Sequence, residues 1–367
     1  MENLLQTLLR LDKQVTPLCG CVGAKHLQEY VLLFHEKARD LALGLRDCAR
    51  SRFTLSETNW GHFNDGTDQI INKTMQDKKK ADGAFTGLNV LFIASLHNNA
   101  DTLSQLHFLH YICSQQRPAT ITILMPFFPT STMERIGEGE EGYVPTAATL
   151  ASMFSNLPFQ GGVRVMTYHV HVLGEKFYFY GNATLTTHTA IPLLMQELEK
   201  NGINCIVFPD DGAKKRFEKI FNPGDDDKKY TVVCCTKEHV KGSDEKKVKL
   251  EGGVEGLIRG NNTIIVDDLT RSGSTLFQCM DAIIESGALS VSMFVTHGAF
   301  LDKFWVTLKN HQTKPKKIYT TDSISGIRES IISHDYSIEP PRGISDDAKL
   351  FKVLSLVPRI YNDLNFN

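Results

Sequence analysis

The chain has no excess of either charge. Forty Lys and Arg stand against forty-two Asp and Glu, a formal net charge of −2. Without a basic field there is no electrostatic case for nucleic acid as a main partner. Long apolar runs are missing as well: none reaches the roughly 20 residues that a bilayer-spanning helix needs, which argues against a membrane role. The eight cysteines, at 19, 21, 48, 113, 205, 234, 235 and 279, include no zinc-type pair of Cys-x-x-Cys units, and no secretory signal precedes them. Reduced thiols in a cytoplasmic protein are therefore expected, with Cys205 and Cys279 in the core. Residues 1–11 are amphipathic with a single positive charge, the pattern of a docking or oligomer-contact helix rather than a targeting peptide. What is present, 41% hydrophobic and 22% charged residues over 367 positions, has the balance of a globular protein with room for two domains.

The chain is organised around residues 261–283. Thr263 to Val266 is a short β-branched run, the composition of a strand buried on both faces. Asp267 to Thr275 supplies two adjacent carboxylates, Gly273, and hydroxyls at Ser272, Ser274 and Thr275. Leu276, Met280, Ile283 and Ile284 follow at helical spacing. A strand end joined to a helix start aims backbone N–H groups and hydroxyls at one point, where the helix dipole favours an anion. Phosphate is the natural guest. The paired acids are out of place beside phosphate alone, but they suit a sugar whose hydroxyls need acceptors and a divalent cation nearby. Ribose 5-phosphate meets both demands.

The rest of the chain alternates strand and helix. Strands are expected at 30–34, 89–94, 120–124, 163–168, 204–208, 230–234, 290–296 and 317–320, and helices at 36–50, 101–115, 146–154 and 191–200. A Thr-rich connector at 183–189 marks the domain boundary, residues 335–349 look like a loop, and 352–362 form a last apolar segment. The two halves repeat a similar order, which suggests a duplicated α/β domain. His169 and His171 lie on one face of an extended segment. Pro209 to Arg216 carries acids, then bases; the acids suit a cation and Arg216 a phosphate, or the stretch is a turn followed by a solvated helix face. Residues 237–249 are Lys-rich and poor in apolar side chains: either a mobile segment that closes over a nucleotide or an inert surface hairpin.

Seven pieces in order carry a family resemblance: Phe63-Asn64-Asp65-Gly66, Pro126-Phe127-Phe128-Pro129, His171 with Phe177-Tyr178-Phe179, Pro209-Asp210-Asp211-Gly212 through Arg216, Asp267-Asp268 through Thr275, Thr296-His297-Gly298, and Thr321-Asp322-Ser323. Together they resemble the ribose-phosphate pyrophosphokinases (phosphoribosyl pyrophosphate, or PRPP, synthetases), most closely the plant-type second class. That resemblance implies an α/β protein of two tandem type I phosphoribosyltransferase-like domains, each a mainly parallel sheet flanked by helices. A helical extension (1–28) would precede an ATP-side domain (29–182) and a ribose 5-phosphate domain (183–340), and 341–367 would return to the first domain. It implies transfer of the pyrophosphoryl group of ATP to the 1-hydroxyl of ribose 5-phosphate. Asp267, Asp268, Arg271, Ser272, Gly273, Ser274 and Thr275 would bind the sugar phosphate, and His171 and Asp210 would hold Mg²⁺. Lys237, Arg216 and Asp267 would be catalytic. Phe63, Asp65, Thr67, Glu134 and Arg135 would form a nucleotide site shared between subunits of a homo-oligomer. Four departures set the chain apart: Arg271 where the usual class has an acid, His169 where it has Asp, His239 where it has Arg, and no Arg-Gln pair near Thr132 and Met133. They make a catalytically weak or silent regulatory homologue the competing reading.

Overall fold

The computed structural model describes residues 29–77, 83–130, 133, 141–224, 229–239, 246–251, 253–338 and 349–364. The N-terminal helix, Glu134 and Arg135, and most of the 335–349 loop lie outside the described residues.

The first half runs Tyr30–Phe34 (β1), Arg39–Cys48 (α1), Phe53–Leu55 (β2), Thr58–His62 (β3), Asp68–Asn72 (β4), Asn89–Ile93 (β5), Asn99–Tyr111 (α2), Thr120–Leu124 (β6), Thr146–Ser155 (α3), Val163–Tyr168 (β7) and Ala183–His188 (β8). The second half runs Ile191–Lys200 (α4), Cys205–Phe208 (β9), Asp211–Phe221 (α5), Thr231–His239 (β10), Lys246–Leu250 (β11), Glu255–Ile258 (α6), Asn262–Thr270 (β12), Ser274–Glu285 (α7), Ser290–Gly298 (β13), Asp302–Asn310 (α8), Ile318–Thr321 (β14), Ile327–Ser333 (α9), Phe351–Leu354 (β15) and Val357–Asp363 (α10).

The first sheet has the order β2-β1-β5-β6-β7-β8, all parallel; the second is β11-β10-β9-β12-β13-β14-β15, with only β11 antiparallel. Leaving out β11, the two orders are the same, so the duplicated alternation read from the sequence is a repeated topology. Each sheet reverses direction of growth once, between β1 and β5 and between β9 and β12. In open α/β sheets, ligands bind outside the strand C-termini at such switch points. Central strands are apolar without alternation: Val90 to Ile93, Cys205 to Phe208 and Ile264 to Val266 are each 0% exposed. That is the pattern of parallel strands covered on both faces.

Three apolar cores result. One lies outside the first sheet, built on Phe92, Phe108 and Phe154. Another lies outside the second, built on Phe277, Phe304 and Trp305. The third joins the halves: Leu32, Phe34 and Met166 of the first sheet, Ile191 and Leu194 of α4, Phe208, Ile264 and Phe294 of the second sheet, and Ile360 of α10 belong to one cluster.

The structure departs from the sequence reading in three places. Residues 183–188, expected as a connector, form β8 and pair with β7 from Ala183 to His188; the β-branched threonines that make the segment polar also favour an edge strand. The last apolar segment divides: β15 pairs in parallel with β14, while α10 packs on α1, where a Cβ on Gly44 would meet Val357 at 2.7 Å. Finally, β12 continues to Thr270, so Asp267 and Asp268 stand on the strand itself, held in register with β13 at Val295 and His297 by Asp267 and Leu269.

Candidate active site

The switch point of the second sheet opens into a cavity of about 720 Å³. β9 delivers Asp210 to it, β12 delivers Asp267, Asp268 and Arg271, and the turn into α7 delivers Ser272 to Thr275; His171 comes from the loop after β7. Lys215 and Arg216 of α5 complete the wall. The structure thus gathers His171, Asp210, Arg216 and the whole 267–275 motif from three separated parts of the chain. Lys215 was missed, although its place in the Lys-Lys-Arg run beside the acids was a usable signal.

The turn into α7 depends on one glycine. Gly273 has φ 75° and precedes the helix without a side-chain cap, so nothing from position 273 competes with a ligand for the first N–H groups. A Cβ there would come within 2.6 Å of the Phe304 ring and 2.9 Å of Phe277. Gly273→Ala is expected to cost about 2–4 kcal/mol, left-handed backbone and overpacked rings together, seen as a lower Tm. Ser272 Oγ and Ser274 Oγ lie 2.7 Å apart at the mouth of this turn.

The carboxylates are not equivalent. Asp268, 4% exposed, accepts from His171 Nδ1 at 3.2 Å and pairs with Arg216 Nη1 at 2.7 Å. Burial works to raise its pKa, but the His171 hydrogen bond and the guanidinium outweigh it, and the carboxyl is held well below the usual range. Asp267 has no such partner. Burial first, then the charges of Asp268 and Asp210, push its carboxyl well above the usual range, so of the two acids Asp267 is the one that more readily keeps a proton. Asp210 caps α5, its Oδ1 accepting from the Ala213 N–H at 3.0 Å. Arg216 Nη2 also donates to the His171 carbonyl, which ties the loop from the first half to the acids of the second.

The two histidines do not share a site. The strand ends at Tyr168, His169 takes φ 40°, and its ring turns inward to Thr296 Oγ1 at 2.6 Å and Thr189 Oγ1 at 2.7 Å. It does not line the cavity. His297 and Ser323, members of two of the motifs that carry the resemblance, are buried. His297 Nε2 donates to the Tyr168 carbonyl at 2.7 Å, and Nδ1 faces Ser323 Oγ at 2.8 Å. These residues weld β13 to the end of β7 and so fix the loop that presents His171. Burial, and next the neighbouring His297, push His169 down to about 3; burial also lowers His297. Both rings favour the neutral form in the folded protein, whereas in the unfolded chain they protonate below about pH 6.5. Their stabilisation is therefore full above about pH 6.5 and is lost as pH falls, by about 1.4 kcal/mol per unit down to about pH 3 for His169, with His297 acting in the same direction. Thermal melts across that range are expected to show the slope, and His169→Gln to make it shallower.

Other expected residues stand apart. Phe63, Asp65 and Thr67 form the tip of the β3–β4 hairpin, where Asp65 Oδ1 accepts from the Thr67 N–H at 2.9 Å, and none of them lines the cavity. Trp60 holds the hairpin down, its Nε1 donating to the Phe34 carbonyl at 3.1 Å. Asp68 anchors it to α2 through His107 at 2.7 Å. The Lys-rich segment is a hairpin arm in which Lys237 pairs with Val248 across β10 and β11; the Lys237 side chain, like Glu134 and Arg135, lies outside the described residues.

No protein-family model matches the chain. Among curated proteins, it is 36% identical over 309 residues to ribose-phosphate pyrophosphokinase 4 of Arabidopsis thaliana, covering 83% of each chain. It is 34% identical over 295 residues to the chloroplastic ribose-phosphate pyrophosphokinase 3 of the same plant, covering 78% of this chain and 66% of that one. Among solved structures, the phosphoribosylpyrophosphate synthetase of Mycobacterium smegmatis matches with a TM-score of 0.69 at 16% identity, over 92% of this chain and 98% of that one, a likeness of fold. With more than 30% identity across most of its length and the same two-sheet architecture, the chain belongs to the ribose-phosphate pyrophosphokinase family.

Proposed function

We propose that the protein transfers the β,γ-pyrophosphoryl group of ATP to the 1-hydroxyl of ribose 5-phosphate, giving PRPP and AMP. The observation that carries this reading is the joining of two acids, Asp267 and Asp268, to a hydroxyl-rich helix start within one cavity. A phosphorylated pentose matches both ends of it. In this reading the Ser272 to Thr275 turn holds the 5-phosphate with backbone N–H groups and hydroxyls, and Arg271 adds positive charge beside it. Asp267 and Asp268 accept from the ribose hydroxyls and so aim the 1-oxygen.

The donor set suits Mg²⁺. Three carboxylates, Asp210, Asp267 and Asp268, converge on one cavity, and oxygen donors are what a hard divalent cation takes. His171 and Asp210 would hold it. Bound there, the cation would neutralise the charge of the ATP phosphates. Arg216 is already engaged by Asp268 and the His171 carbonyl, so we assign it to holding those groups in place; the meeting of the transferred phosphates falls to Lys237. Little covalent work is asked of the protein beyond positioning and charge stabilisation.

Because Phe63, Asp65 and Thr67 do not line the cavity of their own chain, the nucleotide site is read as lying between two copies of the chain, with Glu134 and Arg135 as further contacts. A homo-oligomer follows from this. Mixing inactive Asp65→Ala and Asp268→Asn proteins is expected to restore part of the activity if subunits exchange. The thiol-rich core, with Cys113, Cys205, Cys234, Cys235 and Cys279 buried and free, supports a reducing compartment such as the cytoplasm.

The test is AMP release from purified protein with Mg²⁺, ATP and ribose 5-phosphate. AMP formed in step with PRPP supports the enzyme; ribose 5-phosphate binding without AMP would return the reading to a silent homologue, which no observation so far favours.

A further inference from the structure

A second cluster of ligand atoms lies outside the sugar-phosphate cavity, on the far side of the α5 start. Asp211 opens α5, one residue past the Asp210 cap. Cys234, 0% exposed, stands on β10. Glu251 follows β11, its N–H donating to the Cys234 carbonyl at 3.1 Å. One carboxylate oxygen of Asp211, one of Glu251 and the Cys234 sulfur all lie within 4.8 Å of one another, and Sγ is 3.8 Å from Asp211 Oδ1. Lys214 Nζ is 3.7 Å from Glu251 Oε2.

The thiol can donate one weak hydrogen bond, to Asp211 Oδ1 at 3.8 Å, which does not account for a second carboxylate, that of Glu251, within 4.8 Å of the same sulfur. Burial, and next the Glu251 charge, push the Cys234 thiol up to about 12. A cation reverses that balance. Tetrahedral zinc, with Zn–S near 2.3 Å and Zn–O near 2.1 Å, places sulfur and oxygen ligands about 3.6 Å apart, a few tenths from the separation already present. A thiolate with two carboxylates carries three negative charges; a divalent ion and Lys214 offset them.

We propose that Asp211, Cys234 and Glu251 form a site for a zinc-class divalent cation, with water in the fourth position, that clamps the β10–β11 hairpin to the start of α5. The thiolate selects zinc, cobalt or cadmium over magnesium and calcium. Binding releases the Cys234 proton to solvent, so affinity falls with pH. The clamp joins the strand that carries Lys237, three residues beyond Cys234, to the helix that carries Arg216.

The test is a Co²⁺ titration of the full chain after chelator treatment, at near-neutral pH. A thiolate-to-cobalt charge-transfer band is expected to saturate at about one equivalent and to be abolished by Zn²⁺. Cys234→Ser should remove the band. Glu251→Gln, at a partly exposed position, should weaken cobalt binding by at least ~10-fold and reports on the same site if Cys234→Ser fails to fold. The Cys19→Ser/Cys21→Ser double variant should keep the band. Absence of the band in the unaltered protein, its persistence in folded Cys234→Ser, unchanged affinity in Glu251→Gln, or its loss in the double variant would overturn the proposal. None of these readouts depends on AMP formation, so failure here and failure of the proposed reaction are distinguishable.

Discussion

Asp267→Asn is expected to lower AMP formation by on the order of 100-fold while leaving the fold intact or firmer. The asymmetry of the acid pair is the reason. Asp267 is buried beside Asp268 and Asp210 with its pKa raised. In the unfolded chain it ionises above about pH 4, so the folded protein loses stability as pH rises past that point. An amide copies the protonated form and removes that penalty, yet it cannot supply a carboxylate when sugar and cation arrive. Asp268→Asn is expected to be as damaging to turnover and also to destabilise, because His171 and Arg216 both lean on that carboxylate. Steady-state kinetics and urea unfolding of the two variants separate these outcomes. Equal effects on stability would contradict the assignment of the proton to Asp267.

Arg216→Ala carries the largest expected cost in stability, about 3–5 kcal/mol, as for removing one partner of a buried pair. The Arg216 side chain is 14% exposed and the side chain of its partner Asp268 6%, so water cannot take its place. Arg216 also donates to the His171 carbonyl, which adds loss of the loop that presents His171. Arg216→Lys is expected to rescue only part, since an ammonium cannot reproduce two contacts from a planar fork. Denaturant midpoints of the three proteins test the ordering; a loss below about 1 kcal/mol for Ala would mean that the pair is screened as a surface pair is.

Elements whose cause is local were legible in the sequence, and contacts between distant residues were not. β1, β7 and α4 have the bounds that their apolar patterns indicate, and the β12–α7 unit announces itself because acids, glycine and hydroxyls stand together within nine residues. The Thr-rich β8 was hidden because its side chains are polar at an edge, where no covering layer demands apolar ones. The welding of the halves left no local trace at all. His169 meets Thr296 and His297 meets the Tyr168 carbonyl across 127 and 129 positions of sequence, so these two histidines are buried connectors. His171, two residues on, meets Asp268 instead. The difference between them is the left-handed backbone at His169, which residue type alone does not announce.

The claim on which the rest depends is that the turn after β12 holds the phosphate of a pentose while Asp267 and Asp268 hold its hydroxyls. A crystal of the protein with ribose 5-phosphate and Mg²⁺ tests it most directly. The account predicts phosphate oxygens within about 3.2 Å of the Ser272 to Thr275 amides and hydroxyls, with the ribose hydroxyls against both carboxylates. A sugar phosphate bound elsewhere, or bound here with its phosphate turned toward Asp267 and Asp268, would contradict it.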